Sequence, residues 1–379
     1  MGTNSLTFDS LVRRGFLHSP KLAPWQNQIL RDMQVRIGAS KNVWILSSGT
    51  QSLNQVKAIE LTREALLTSA AAVNKHLHAT SRDRWLLTLP PYHVGGLGIL
   101  ARAKLSKSRV FFLSKWSVKE FVRTIEKHKI SLVSLVPTQV FDLVEAGAAS
   151  PKSLRAIVVG GGSLDPNLYL RARQLGWPLL TSYGLTECCS QVATASLSTL
   201  KAMKYPDLTV LPHVKVELRE GRVFLKSKSL AETVAVGRPS REFTREEPKR
   251  DGWLATEDLA EMPGGKLRIL GRRDDVVKVL GVLVPVNQVE DKIREHFTRD
   301  QLTGDLTVLA IKGGREENRL ILVTNSKSAL NKLESAMIQF NSQVPGPERI
   351  KQLCWVDEIP RNELGKIKKA ELSRTLGLF

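Results

Sequence analysis

From Ser40 to Ser150 the chain repeats one unit: a short apolar run, a breaker, then an amphipathic stretch. Asn42 to Leu46 reads as a strand. Thr62 to Leu77 reads as a helix, with Leu66, Ala70, Val73 and Leu77 on one stripe and Thr62 as its cap. Arg84 to Leu89 is a strand ended by Pro90-Pro91, and Lys119 to Lys127 is a helix. Leu132 to Val136 is a strand ended by Pro137, and Leu154 to Val159 one closed by Gly160-Gly161-Gly162. Strand, helix and strand in repetition imply a parallel sheet covered by helices, an α/β fold.

The texture changes near Tyr205. Val214 to Leu218 and Arg222 to Leu225 flank Glu220-Gly221, a hairpin signal, and short strands continue to Leu270. This stretch, about 205–270, reads as a small β-rich subdomain. The polar break Arg272-Arg273-Asp274-Asp275 sets a boundary. Beyond it come a hairpin (Val276 to Leu280, Val282 to Val284), a helix from Asn287 to Phe297, strands at Leu306 to Ile311 and Leu320 to Val323, and a helix from Ser328 to Phe340. The expected division is a large N-terminal domain, 1–273, followed by a small mobile α+β lid, 274–379.

A length of 379 residues and a hydrophobic content of 42% suffice for two or three domains with a sizeable core. No apolar run reaches the length of a membrane span, and Met1 to Leu11 does not resemble a signal peptide. The three cysteines, Cys188, Cys189 and Cys354, form no CxxC pair, which argues against a disulfide framework or zinc site and points to the cytoplasm. The net charge of +19 favours anionic partners. It is spread over clusters such as Lys104, Lys107 and Arg109, with no nucleic-acid signature, so no specific nucleic-acid partner is expected.

Several segments carry chemistry. Ser47-Ser48-Gly49-Thr50 follows a strand, is expected to precede a helix, and can offer N–H groups and hydroxyls to phosphate, with Lys57 as a nearby cation. Glycines Gly161 and Gly162, after a strand, allow flat packing of a base or acyl group against main chain. In Tyr183-Gly184-Leu185-Thr186-Glu187 the ring can stack on a base, Gly184 can admit close approach, and Thr186 can reach a phosphate. Glu187 can ligate Mg²⁺, a hard cation suited to carboxylate and water. Asp258, closing Thr256-Glu257-Asp258, can accept two hydroxyls. His93 can line a tunnel or steer a thiol, or simply sit at a strand end.

Taken in this order, with Gly365-Lys366 near the C-terminus, these segments resemble the adenylate-forming superfamily. Three stretches narrow the resemblance to the o-succinylbenzoate–CoA ligases, acyl-CoA synthetases of menaquinone biosynthesis. They are Leu89 to Leu97, Ser134 to Gln139, and Ser182 to Glu187 running on to Val192. The resemblance implies ATP, Mg²⁺ and coenzyme A, a carboxylic acid substrate, and a two-step ligation through an acyl-adenylate. It implies nucleotide contacts from Ser182, Tyr183 and Gly184, ribose contacts from Asp258 and Arg272, a hinge at Asp274, and a catalytic ammonium at Lys366. Gly281 is implied to border the pantetheine, and His93, Thr186 and Glu187 to serve the reaction. Two departures stand out: the phosphate loop lacks the family's second glycine and proline before Lys57, and Glu257 replaces a glycine. The loop also begins at Ser47, where most members carry a large subdomain before it. The same residues fit an aryl- or fatty-acid ligase, or a nucleotide binder without turnover. Oligomeric state stays open, a homodimer among the options.

Overall fold

The strand–helix repeat does fold into a parallel sheet. The computed structural model describes residues 6–47, 55–113, 115–295, 305–313, 317–362 and 365–377. The chain opens with α1 (Phe8–Val12), β1 (Phe16–Leu17), α2 (Pro24–Ile37), β2 (Val43–Ser47) and β3 (Val56–Leu61). β1 pairs parallel with β2, which pairs antiparallel with β3. Then follow α3 (Arg63–His76), β4 (Arg84–Leu87), α4 (Val94–Ser106), β5 (Arg109–Phe112), α5 (Val118–His128), β6 (Leu132–Leu135), α6 (Pro137–Glu145), β7 (Ala156–Val159), α7 (Pro166–Gln174) and β8 (Leu179–Leu185). Strands β5, β4, β6, β7 and β8 lie side by side and parallel. β9 (Ser190–Thr194) and β10 (Thr209–Val210) add antiparallel strands, completing a seven-stranded sheet.

Local chemistry explains these elements. β6 and β7 are buried along their whole length, as strands covered on both faces must be. Thr62 caps α3 by accepting from Ala65 N, and Ser117 caps α5 by accepting from Glu120 N. Phe121 and Ile125, one turn apart, seat α5 on the sheet. Pro137 and Pro166 end the preceding extended segments and open α6 and α7, where a missing N–H costs nothing.

Residues after Tyr205 form β11 (Val214–Arg219), β12 (Arg222–Ser227), β13 (Thr233–Gly237), β14 (Phe243–Glu246), β15 (Lys249–Arg250), β16 (Trp253–Glu261) and β17 (Arg268–Arg272). Glu220 and Gly221, at φ 50° and 76°, make the tight β11–β12 turn. β11, β12, β15, β16 and β17 share one sheet, whereas β13 leaves it to pair with β3, taking β14 along.

The last part contains β18 (Val276–Val279), β19 (Val282–Pro285), α8 (Val286–Glu295), β20 (Leu306–Lys312), β21 (Asn318–Thr324), α9 (Leu330–Gln343), β22 (Ile350–Trp355) and α10 (Lys369–Thr375). Val289, Ile293, Val308, Leu322 and Phe340 belong to a core of its own. Among the described residues no helix is long and apolar enough to cross a membrane.

Candidate active site

A parallel sheet gathers the loops at the C-terminal ends of its strands, and ligands of such folds bind there. Here β4, β6, β7 and β8 are successive neighbours. The segments that follow them carry Tyr92-His93, Val136-Pro137-Thr138 and Gly160-Gly161-Gly162, and β8 itself runs into Tyr183 to Glu187. The glycine loop lies on its neighbours. A Cβ on Gly160 would meet Ser182 Oγ at 2.9 Å, and one on Gly161 (φ +83°) would meet Val136 Cγ1 at 3.2 Å. Gly162 lies over Pro137, and Ser182 Oγ donates to Val159 O at 2.9 Å.

Tyr183 and Asp258 are joined directly: the phenol donates to Asp258 Oδ2 at 2.6 Å. Burial, then the Asp258 charge, drives the phenol far above its usual range, so it remains a protonated donor. Asp258 on β16 pairs in register with Arg272 on β17, and their side chains approach to 3.7 Å. Tyr183, 75 positions away, thus converges with the neighbouring-strand Arg272 on one carboxylate. Gly184 has a reason other than nucleotide approach. A Cβ there would lie 1.9 Å from Ser190 O, so the neighbouring strand β9 demands the glycine.

The phosphate segment differs from expectation. After Ser47, which ends β2, the next described element is strand β3 rather than a helix. Ser48, Gly49 and Thr50 lie outside the described residues, as does the side chain of Ser47. Lys57 lies on β3, and its ammonium pairs with Glu187 at 2.7 Å. β3 runs back along β2, which carries Lys57 toward the short turn Thr186–Cys188. Among the described residues no three carboxylates, histidines or cysteines cluster to hold a metal. A lone carboxylate fits Mg²⁺, which is usually bound by one or two carboxylates plus substrate phosphates and water.

Glu257, the residue in place of the family's glycine, does not face Asp258's partners. It pairs with Arg222 at 2.6 Å and Arg273 at 3.2 Å. Asp274 lies in the turn Arg273–Asp275, with its side chain outside the described residues.

Lys366 follows a tight turn in which Asn362 Oδ1 accepts from its amide at 2.9 Å. The turn rests on the large domain. A Cβ on Gly365 (φ +74°) would lie 2.4 Å from Thr138 Oγ1 at the start of α6. The ammonium is solvent-accessible but walled by protein. Burial and then Arg272 draw it below the usual lysine range, while Asp258 and Glu187 pull it back up. The structure therefore brings Lys366, Arg272, Asp258, Tyr183, Glu187 and Lys57 into one electrostatic neighbourhood. It leaves Gly281 out. Gly281 (φ +79°) shapes the exposed β18–β19 turn, and its amide donates to Glu317.

His93 is not at a strand end. It is the N-cap of α4, with its ring tilted against Tyr92 at 4.9 Å between centroids. That helix also carries a residue absent from the sequence expectations. Arg102 is 2% exposed and has no carboxylate partner among the described residues. Its Nη1 donates to Ser134 Oγ at a long 3.4 Å, its head lies 5.6 Å from the Trp85 ring, and its Nε has no partner. Burial alone pulls it down to about 10. Ser134 lies on β6, two residues before Val136, against which Gly161 packs. The signal in the sequence is one arginine inside the apolar run Leu97 to Ala103.

The chain resembles known proteins over most of its length. A profile of the family described as AMP-binding enzyme matches residues 32–237, more than half of the chain. The chain is 27% identical over 320 residues to the 2-succinylbenzoate–CoA ligase of Bacillus subtilis (strain 168), covering 80% of itself and 63% of that relative. It is 26% identical to the ligase of the same name from Lactococcus lactis subsp. lactis (strain IL1403), covering 88% of itself and 71% of the relative. It thus spans less than two thirds of the B. subtilis protein. The solved o-succinylbenzoate coenzyme A synthetase from B. subtilis, in complex with ATP and magnesium ion, superposes with a TM-score of 0.73 at 23% identity, over 88% of this chain and 70% of that one. That likeness is one of fold.

Proposed function

The chain belongs to the AMP-binding enzyme family, and on that premise we propose that it is an ATP-dependent acyl-CoA ligase acting on o-succinylbenzoate. The observation that carries this reading is the seating of Lys366. With Gly365 against Thr138, its ammonium shares one neighbourhood with Arg272, Asp258 and Glu187. The names of the relatives support the acid, and the B. subtilis structures carrying ATP with magnesium, or the acyl-adenylate OSB-AMP, support the route.

In the first step a carboxylate oxygen of the acid attacks the α-phosphorus of ATP and the bond to pyrophosphate breaks. Lys366 neutralises charge on both reacting groups as it shifts. Tyr183 offers its ring to adenine, and Asp258 with Arg272 holds the ribose. Glu187 would hold Mg²⁺, which supplies charge neutralisation on the leaving phosphates. Lys57, Thr186 and the Ser47–Thr50 segment serve those phosphates. In the second step the C-terminal domain, 274–379, turns about Asp274 and brings Gly281 to the pantetheine. The coenzyme A sulfur attacks the acyl carbon, AMP leaves, and the thiol proton passes to solvent. His93 borders this path. One carboxylate of o-succinylbenzoate is activated and the other stays anionic, and Arg102 is the buried cation suited to it.

The test is AMP release from ATP, Mg²⁺ and coenzyme A, with and without o-succinylbenzoate. Acid-dependent AMP with a new thioester is the expected result. AMP with benzoates or fatty acids only would move the substrate. Measurable ATP binding with no AMP from any acid would favour a nucleotide binder without turnover, a reading to which Glu257 and the Lys57–Glu187 pair lend some weight.

A further inference from the structure

Helix α8 begins the packed part of the C-terminal domain, yet one of its faces meets the large domain. Val289 and Ile293 point into its own core. Asn287 lies on a different face. Asn287 Nδ2 donates to Leu270 O on β17 at 3.0 Å. The amide occupies the space a side chain on residue 271 would need: a Cβ on Gly271 (φ +145°) would lie 2.1 Å from Asn287 Nδ2. Gly271 precedes Arg272, the partner of Asp258, so this contact adjoins the ribose pair. Asn287 Oδ1 is buried and finds no hydrogen-bond partner among the described residues, so the seat is imperfect and can be left at modest cost.

Resting on the ligase reading above, we propose that Asn287 is a reversible clamp. It holds the C-terminal domain where Gly365 meets Thr138 and Lys366 faces the nucleotide residues. It is a positioning residue for the first half-reaction and is idle in the second. The second needs this contact undone, because the domain must turn. A closed state held by one hydrogen bond, with an acceptor that no described residue pairs, is stable enough to form and weak enough to release.

The test uses the whole chain with Asn287→Ala. Acid-dependent ATP–pyrophosphate exchange should fall roughly three- to tenfold, the weight of one interfacial hydrogen bond. Thioester formation from supplied acyl-adenylate and coenzyme A should be unchanged or faster. A merely structural role would lower both steps together, and that result, or no change in either, would overturn the clamp. An independent readout is the distance between labels at Val35→Cys and Ile338→Cys, positions 83% and 65% exposed, in a Cys354→Ser background. The clamp predicts a broader distance distribution in the Asn287→Ala variant. If the unaltered chain exchanges with no acid, the ligase reading fails and this distance decides alone. Broadening upholds the clamp, and an unchanged distribution overturns it.

Discussion

The two halves of the candidate site are held in different ways. Tyr183, Asp258 and Arg272 come from strands of the large domain. They are tied by a 2.6 Å hydrogen bond and a strand register, with Tyr183 partly buried. Lys366 comes from a turn of the small domain that meets the large one through Gly365 at Thr138. On the proposed ligase reading, the preorganised first half would grip the nucleotide through both chemical steps, and the second would deliver a charge on a removable arm, which suits one step and clears the path for the other.

Substitutions can break or sharpen this contrast. The largest effect is expected at Lys366→Ala: acid-dependent pyrophosphate exchange should drop about 10²–10³-fold, as for loss of one transition-state donor. Use of supplied acyl-adenylate should hardly change. Next is Asp258→Ala, which removes an acceptor from the fixed half and strands the Tyr183 hydroxyl. Both half-reactions should weaken, by about 10–100-fold in kcat/KM for the nucleotide. If only one step suffered at Asp258, the contrast would fail.

Arg102→Met should separate function from stability. An unpaired buried cation costs folding free energy, so the melting temperature should rise, by the equivalent of about 1 kcal/mol or more. The KM for o-succinylbenzoate should rise about tenfold, with little change for a monocarboxylic acid. Parallel changes for both acids would contradict a role for Arg102 in binding the second carboxylate.

The smallest effect on activity concerns His213. Burial pulls its imidazole down to about 4, and neither ring nitrogen finds a partner among the described residues. Between that value and its ordinary 6.5 the unfolded chain takes up the proton and the folded one does not. Stability is therefore complete above about pH 6.5 and falls as pH drops toward 4. Thermal melts from pH 7 to 4.5 should show that slope, and His213→Phe should flatten it.

Much of the fold was legible where local chemistry decides it. Thr62 caps its helix as the pattern implies, and the Glu220-Gly221 and Leu280-Gly281 turns have the positive φ their hairpins require. Helix α4 was not legible, and the reason is physical. Gly96 and Gly98 weaken the helical signal, yet packing requires both. A Cβ on Gly96 would lie 2.3 Å from Pro90 O, and Gly98 makes room for the Arg102 guanidinium at 3.2 Å. The return of β13 to β3 depends on pairing between distant segments, which no local pattern encodes. At the site, the Tyr183 to Glu187 segment could be read from residue types in a row. The Lys57–Glu187 pair, 130 positions apart, could not, because a strand reversal rather than a motif brings them together.

The most direct test of the account measures both half-reactions in the unaltered chain and in Lys366→Ala: pyrophosphate exchange with o-succinylbenzoate, and thioester formation from its preformed adenylate. The account predicts that Lys366→Ala loses the first and keeps the second. Retained exchange, or equal loss of both, would contradict it.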